Sequence, residues 1–162
     1  MTKHKPLGFG IIGTGAIAGM HAAAINASEE TELVAVLSST EARAKLAEEK
    51  FNVPADHDID LFLSRKDIDV VCICTHSGNH LEPAIAAANV GKHILLEKPI
   101  EVSTERADEL INSCEKAGVK LGVIFQNRLK PGYLKLKEAV QSGKIGKLLM
   151  GTAAINWYRD PS

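Results

Sequence analysis

An α/β fold, built as a doubly wound parallel sheet, is predicted by three observations. Short, near-continuous apolar runs alternate with Ala-rich or charged helical segments along most of the chain. A glycine-rich turn joins the first apolar run to the first helix. Aromatic residues make up only 4% of the chain, so the core is aliphatic and small-residue, as packed α/β layers require.

The elements follow in order. Leu7–Ile12 reads as the first strand and Ala16–Ala27 as an Ala-rich helix. Glu32–Leu37 is a β-branched run and the second strand; Glu41–Lys50 is a charged helix. A short helix over Asp58–Ser64 precedes a third strand over Ile68–Cys74. Glu82–Val90 is a helix that tolerates Pro83 because it lies in the first turn, and Gly91 ends it. His93–Leu96 is the fourth strand. Ser103 caps a helix over Thr104–Ala117, with Gly118 just past its end. Lys120–Phe125 is the fifth strand and Tyr133–Ser142 a last helix, closed by Gly143. Strands separated by helices make parallel pairs with right-handed crossovers, so both faces of the sheet are covered. Lys147–Tyr158 reads as one long strand with no helix after it. The expected organisation is a nucleotide-binding domain over residues 1–125, a connecting loop and helix over 126–145, and the opening of a truncated second domain over 146–162.

Composition excludes several classes. A chain of 162 residues that is 45% hydrophobic buries too much apolar surface to be disordered. A net charge of −1 lacks the basic excess of a nucleic-acid or anionic-membrane binder. No apolar run is long enough to span a bilayer, and Met1–Pro6 carries no signal-peptide pattern. Three cysteines make no disulfide framework, so a cytoplasmic setting is expected. Cys72 and Cys74 sit two apart in a strand and so share one face. They read as small buried residues of a central strand rather than as a metal or redox pair. Cys114 reads as helix packing. No metal is expected.

The chemistry begins at Gly13-Thr14-Gly15-Ala16-Ile17-Ala18. Gly13 permits the tight turn, Gly15 lets a pyrophosphate approach the backbone, and Ala18 allows close helix–strand packing. The helix N-terminus offers unpaired N–H groups and a positive dipole end to the phosphates. A strand precedes the turn, a helix follows, and a second strand comes about 20 residues on, which is the context a Rossmann-like dinucleotide site needs. A methyltransferase glycine loop is the competing reading, but it wants an acid at the tip of the second strand. That tip reads Leu37-Ser38-Ser39-Thr40-Glu41-Ala42-Arg43. Ser38, Ser39 and Arg43 suit a 2′-phosphate, which favours NADP, and Glu41 leaves NAD open.

With that glycine loop, His21, the segment Thr75–His80 and Gly91-Lys92-His93, the tripeptide Glu97-Lys98-Pro99 resembles the Gfo/Idh/MocA family, which includes glucose-fructose oxidoreductase and inositol dehydrogenase. The resemblance covers essentially the whole chain. It implies NAD(P)-dependent oxidation of a secondary alcohol, or reduction of a ketone, on a sugar or cyclitol, by an enzyme that is usually a homo-oligomer. Lys98 matches the family's catalytic lysine. At the carboxyl edge of a parallel sheet, a partly desolvated lysine can take or give the alcohol proton while hydride moves to nicotinamide. Glu97 orients Lys98, pairs with its charge or is structural. Thr75, His76, Asn79 and His80 match the family loop beside the cofactor, with His76 standing where a proline is common and His80 placed to cap or pack at a helix start. Gln126-Asn127-Arg128 resembles a segment near the substrate pocket, where Arg128 steers a polar or anionic substrate or is a solvated loop charge. Trp157-Tyr158-Arg159 also matches. Family members are about twice this long, with a second, α+β domain that carries most of the substrate surface and a further Asp and His. This chain has no counterpart for those, so it is expected to bind a dinucleotide yet catalyse poorly alone. A stand-alone dinucleotide sensor and a non-redox member that uses nicotinamide transiently are the other readings.

Overall fold

A computed structural model describes residues 5–156 and 158. The chain divides into two compact units between Ile124 and Phe125.

The first unit is a six-stranded, fully parallel sheet. Its strands are β1 (Leu7–Ile12), β2 (Thr31–Leu37), β3 (Ala55–Asp56), β4 (Val70–Ile73), β5 (His93–Leu96) and β6 (Leu121–Val123). The spatial order is β3-β2-β1-β4-β5-β6, the doubly wound arrangement in which the chain reverses direction across the sheet between β1 and β4. The register aligns Ile12 with Ile73 and Ile73 with Leu96, so the carboxyl ends of β1, β4 and β5 form one edge.

The crossovers are α1 (Ala16–Asn26), α2 (Glu41–Phe51), α3 (Ile59–Leu63), α4 (Leu81–Asn89) and α5 (Thr104–Ala117). Alternation along each strand sorts the core into two layers. Ile12, Val71, Ile73 and Leu96 pack with Leu81, Ala84 and Leu110 of α4 and α5. Ile11, Val36, Cys72 and Cys74 face α1 and α2 through Ala18, Ala22, Ile25 and Ala47. The expected shared face of Cys72 and Cys74 is therefore present, and it is the α1 face. The caps also match expectation: Ser103 Oγ accepts from Arg106 N, and Gly91 and Gly118 adopt positive φ.

Three differences have physical reasons. The two-residue β3 has no periodicity to read and exists by pairing with the end of β2. β6 is only Leu121–Val123: Ile124 N makes a last bond to the Leu96 carbonyl at 2.9 Å, and the backbone leaves the extended conformation at Phe125. The long strand expected over Lys147–Tyr158 is not formed: residues 147–156 carry no strand and are exposed. A strand needs a ladder partner, and among the described residues none pairs with this segment. The second unit instead holds α6 (Pro131–Gln141), begun by Pro131 at its first position, two residues earlier than expected. Trp157 and Arg159 lie outside the described residues.

The loop after β5 is anchored by Glu101, whose side chain is fully buried. Its carboxylate accepts from Leu81 N at 3.1 Å and Val102 N at 2.7 Å, and Arg106 Nε lies 3.0 Å from it. The Arg106 guanidinium, helped by those two N–H groups and opposed by burial, holds Glu101 down to about 2. A lowered carboxyl stabilises the fold above its unfolded value of 4.5, and that contribution is lost as pH falls through about 2. Glu101→Gln should therefore be less stable at neutral pH and lose less on acidification from 4.5 to 2, as read by urea midpoints across that range.

Candidate functional site

A cleft of about 810 Å³ opens at the carboxyl edge of the sheet, beside the point where strand order reverses. Three pieces of chain build it. The β1–α1 turn supplies Gly13, Thr14, Gly15, Ala16 and Ile17; the tip of β2 supplies Ser38 and Ser39; the segment after β4 supplies Cys74, Thr75, His76 and Asn79. One face of α2 closes the side through Arg43, Leu46, Ala47 and Lys50. No carboxylate is among the lining residues, whereas Arg43 and Lys50 are cations, so the cleft suits an anion.

The glycines divide the work. Gly13 has φ +94°, and a Cβ there would meet the Cys74 carbonyl at 2.9 Å, so this glycine lets two backbones touch. At Gly15, with φ −67°, an added Cβ meets nothing within 4 Å. The space over Gly15 is open cleft. Helix α1 also begins without a side-chain cap and without an acid in its first turn, whereas α2 and α5 have both. Its leading N–H groups are left for a ligand. Thr14 Oγ1 and Ser38 Oγ are 3.0 Å apart and tie the turn to the β2 tip; Arg43 Nη1 donates to Ser39 Oγ at 3.2 Å.

The structure gathers eleven of the expected site residues around this cleft: the five of the turn, Ser38, Ser39, Arg43, Thr75, His76 and Asn79. His80 and Glu97 are buried behind the cleft instead of lining it. His80 places Nδ1 3.0 Å from the Pro99 carbonyl and Nε2 3.3 Å from the Thr75 carbonyl, pinning the post-β4 loop to the post-β5 loop. Lys98 stands two residues beyond Leu96 on the same edge, with its N–H donating to Glu97 Oε2 at 3.2 Å and a cis bond to Pro99. Its side chain is exposed, not desolvated as expected, because no described residue covers it. Arg128 lies in the second unit, in the 3₁₀ turn, and is exposed.

A buried cluster beneath the turn was not read from sequence. His21 Nε2 lies 2.8 Å from Glu97 Oε1, its Nδ1 lies 3.2 Å from Cys72 Sγ, and Cys72 Sγ lies 3.8 Å from Cys74 Sγ. The Cys74 thiolate raises His21 to about 9, with Glu97 adding to it and burial opposing. Cys72, as hydrogen-bond donor, lowers Cys74 to about 6 against the cost of burial, and His21 lowers it further. Cys72 is itself pushed far up by the neighbouring Cys74 sulfur and by burial. The cluster had one legible signal. His21 falls on the buried stripe Ala18, His21, Ala22, Ile25 of α1, where a polar residue needs a partner. Lys50 was legible too, since Arg43, Leu46, Ala47 and Lys50 share one face of α2.

The parallel sheet, the glycine turn and the anion-suited cleft at the point of strand reversal define a dinucleotide-binding domain. The match to known proteins is more specific: residues 7–125 fit the model of the Gfo/Idh/MocA oxidoreductase family with its NAD-binding Rossmann fold, and the chain belongs to that family. It is 32% identical over 154 residues to the inositol 2-dehydrogenase of Rhizobium meliloti, a match covering 95% of this chain and 46% of that protein. The WlbA dehydrogenase of Bordetella pertussis, solved with NADH and UDP-GlcNAcA, superimposes with a TM-score of 0.84 at 29% identity, over 88% of this chain and 44% of that one. The scyllo-inositol dehydrogenase of Lactobacillus casei, solved with NAD(H) and scyllo-inositol, gives a TM-score of 0.79 at 31% identity, over 88% and 43%. The chain thus spans less than half the length of these relatives.

Proposed function

We propose that this chain is the cofactor-binding part of an NAD(P)-dependent dehydrogenase that moves hydride between nicotinamide and a secondary alcohol or ketone of a sugar or cyclitol. The observation that carries the reading is the open space over Gly15 at an uncapped helix start, inside a cleft that holds cations and no carboxylate. The substrate class is supported by the inositol and sugar-nucleotide dehydrogenases the chain is similar to.

In this reading the α1 N–H groups and Gly15 hold the pyrophosphate, and Thr75, His76 and Asn79 flank the nicotinamide half. Bound nicotinamide supplies the hydride acceptor. Lys98 Nζ takes the alcohol proton, or returns it on reduction, from the neighbouring edge position. Glu97 and His21 fix the backbone from which Lys98 projects. Residues 146–162 begin the substrate domain, Arg128 steers a polar substrate, and the working enzyme is a cytoplasmic homo-oligomer. Binding without turnover is expected of this chain alone.

The adenosine end favours NADP. The tip of β2 offers Ser39 hydrogen-bonded to Arg43, both exposed, with Lys50 also lining the cleft and no acid to repel a 2′-phosphate. Titration with NADH and NADPH, followed by nicotinamide fluorescence, is expected to show saturable binding of both with NADPH tighter. Arg43→Ala should weaken NADPH by about tenfold, equivalent to about 1.4 kcal/mol, and leave NADH nearly unchanged. Equal losses for both would contradict the phosphate role, and no saturable binding by the folded chain would contradict the whole reading.

A further inference from the structure

We propose that His21, Cys72 and Cys74 form a binding site for a thiophilic divalent cation of the zinc class, set into the floor of the cofactor cleft, with Glu97 orienting the imidazole. Taken along the chain, Cys72 and Cys74 read as small buried residues of a central strand. The fold supplies a third ligand from α1: His21, Cys72 and Cys74 are all buried, and their ligand atoms lie within 4.8 Å of one another.

Two of the three separations match one tetrahedral ion as they stand, and the third, between His21 and Cys74, is within 4.8 Å and closes by a small ring or rotamer shift. Two thiolates each about 2.3 Å from a tetrahedral zinc stand about 3.8 Å apart, and the two sulfurs are 3.8 Å apart. A thiolate and an imidazole nitrogen on the same ion stand about 3.6 Å apart, close to the 3.2 Å between Cys72 Sγ and His21 Nδ1. The ring's other nitrogen, Nε2, is 2.8 Å from Glu97 Oε1, which is the carboxylate support that metal-ligating histidines use to fix ring orientation. Thiolate and imidazole donors select zinc-like cations over magnesium or calcium. Cys74 also lines the cleft, which gives the ion a route in. The ion replaces whatever protons the two sulfurs and Nδ1 hold, and no electron is transferred. It would join α1 to β4 directly beneath the glycine turn.

The test uses the reduced, chelator-treated chain titrated with Co²⁺. One equivalent is expected to produce thiolate-to-cobalt charge-transfer absorption and tetrahedral d–d bands, both abolished by one equivalent of Zn²⁺. Cys72→Ser and Cys74→Ser should each lose the signal, and Cys114→Ser should keep it. Because either buried serine variant could fail to fold, X-ray absorption of the zinc-loaded wild-type chain gives an independent reading. It should show two sulfurs at about 2.3 Å and a nitrogen at about 2.0–2.1 Å. A featureless Co²⁺ titration, a signal lost with Cys114→Ser, or a zinc shell of nitrogen and oxygen alone would overturn the proposal. None of these readouts depends on dinucleotide binding.

Discussion

Replacing His21 with alanine is expected to lower the stability of the chain by about 3–5 kcal/mol, the cost of removing one partner from a buried ion pair. Glu97 is 7% exposed and His21 is 8% exposed, and they meet at 2.8 Å. Alanine leaves the carboxylate inside the protein with the Lys98 N–H as its remaining hydrogen-bond donor. The double variant His21→Ala, Glu97→Gln should recover part of the loss, so urea unfolding of the two single variants and the double at pH 7 should give a large coupling energy. A loss below about 1 kcal/mol for His21→Ala would place the pair among weak surface contacts and contradict this account. The pH dependence has a definite sign. His21 is raised from 6.5 to about 9, so its contribution is full below 6.5 and is lost as pH rises through about 9. Cys74 is lowered from 9.0 to about 6, so its contribution is present above 9.0 and is lost as pH falls through about 6. The two slopes oppose each other, and wild-type stability should be nearly level between them. In an NMR titration of the chelator-treated, metal-free chain the His21 ring should change charge near 9.

Gly15→Val should weaken cofactor binding by at least about tenfold while leaving the fold intact. The backbone at Gly15 has φ −67°, which any L residue adopts, and a Cβ there meets no atom within 4 Å. The only structural cost is a poorer helix cap, about 1 kcal/mol or less. The valine side chain instead enters the space proposed above for the pyrophosphate, so affinity for NADH and NADPH should fall by at least about tenfold. Gly13→Ala is the contrast. Its positive φ and the Cys74 backbone 2.9 Å from the new Cβ put the damage into the fold itself. Thermal midpoints and nicotinamide fluorescence, measured on both variants, separate the two roles. A Gly15→Val chain that binds normally would remove the glycine loop from the site.

Local rules made much of this legible. The β1–α1 turn, Ser103 as a cap, Gly91 and Gly118 as helix ends, and the shared face of Cys72 and Cys74 all follow from chemistry within a few residues. What escaped depends on distance in the chain. His21 meets Glu97 across 76 residues and Cys72 across 51, and no spacing within one element announces either contact. His80 packs at the start of α4 as expected, and only its contact with the Pro99 carbonyl, 19 residues on, lay beyond local rules. Lys147–Tyr158 failed for the opposite reason. Its apolar content favours a strand, but a strand is a property of a pair, and propensity alone cannot supply the neighbour.

A dinucleotide is expected along the edge formed by Gly13–Ile17, Ser38, Ser39 and Thr75–Asn79. The most direct test is an amide-resolved NMR titration of the chain with NADH. Saturable shifts are expected, confined to the β1–α1 turn, the β2 tip and the loop after β4, with α5 and β6 unmoved. Saturation with shifts centred elsewhere, or an unchanged spectrum at millimolar NADH, would contradict it.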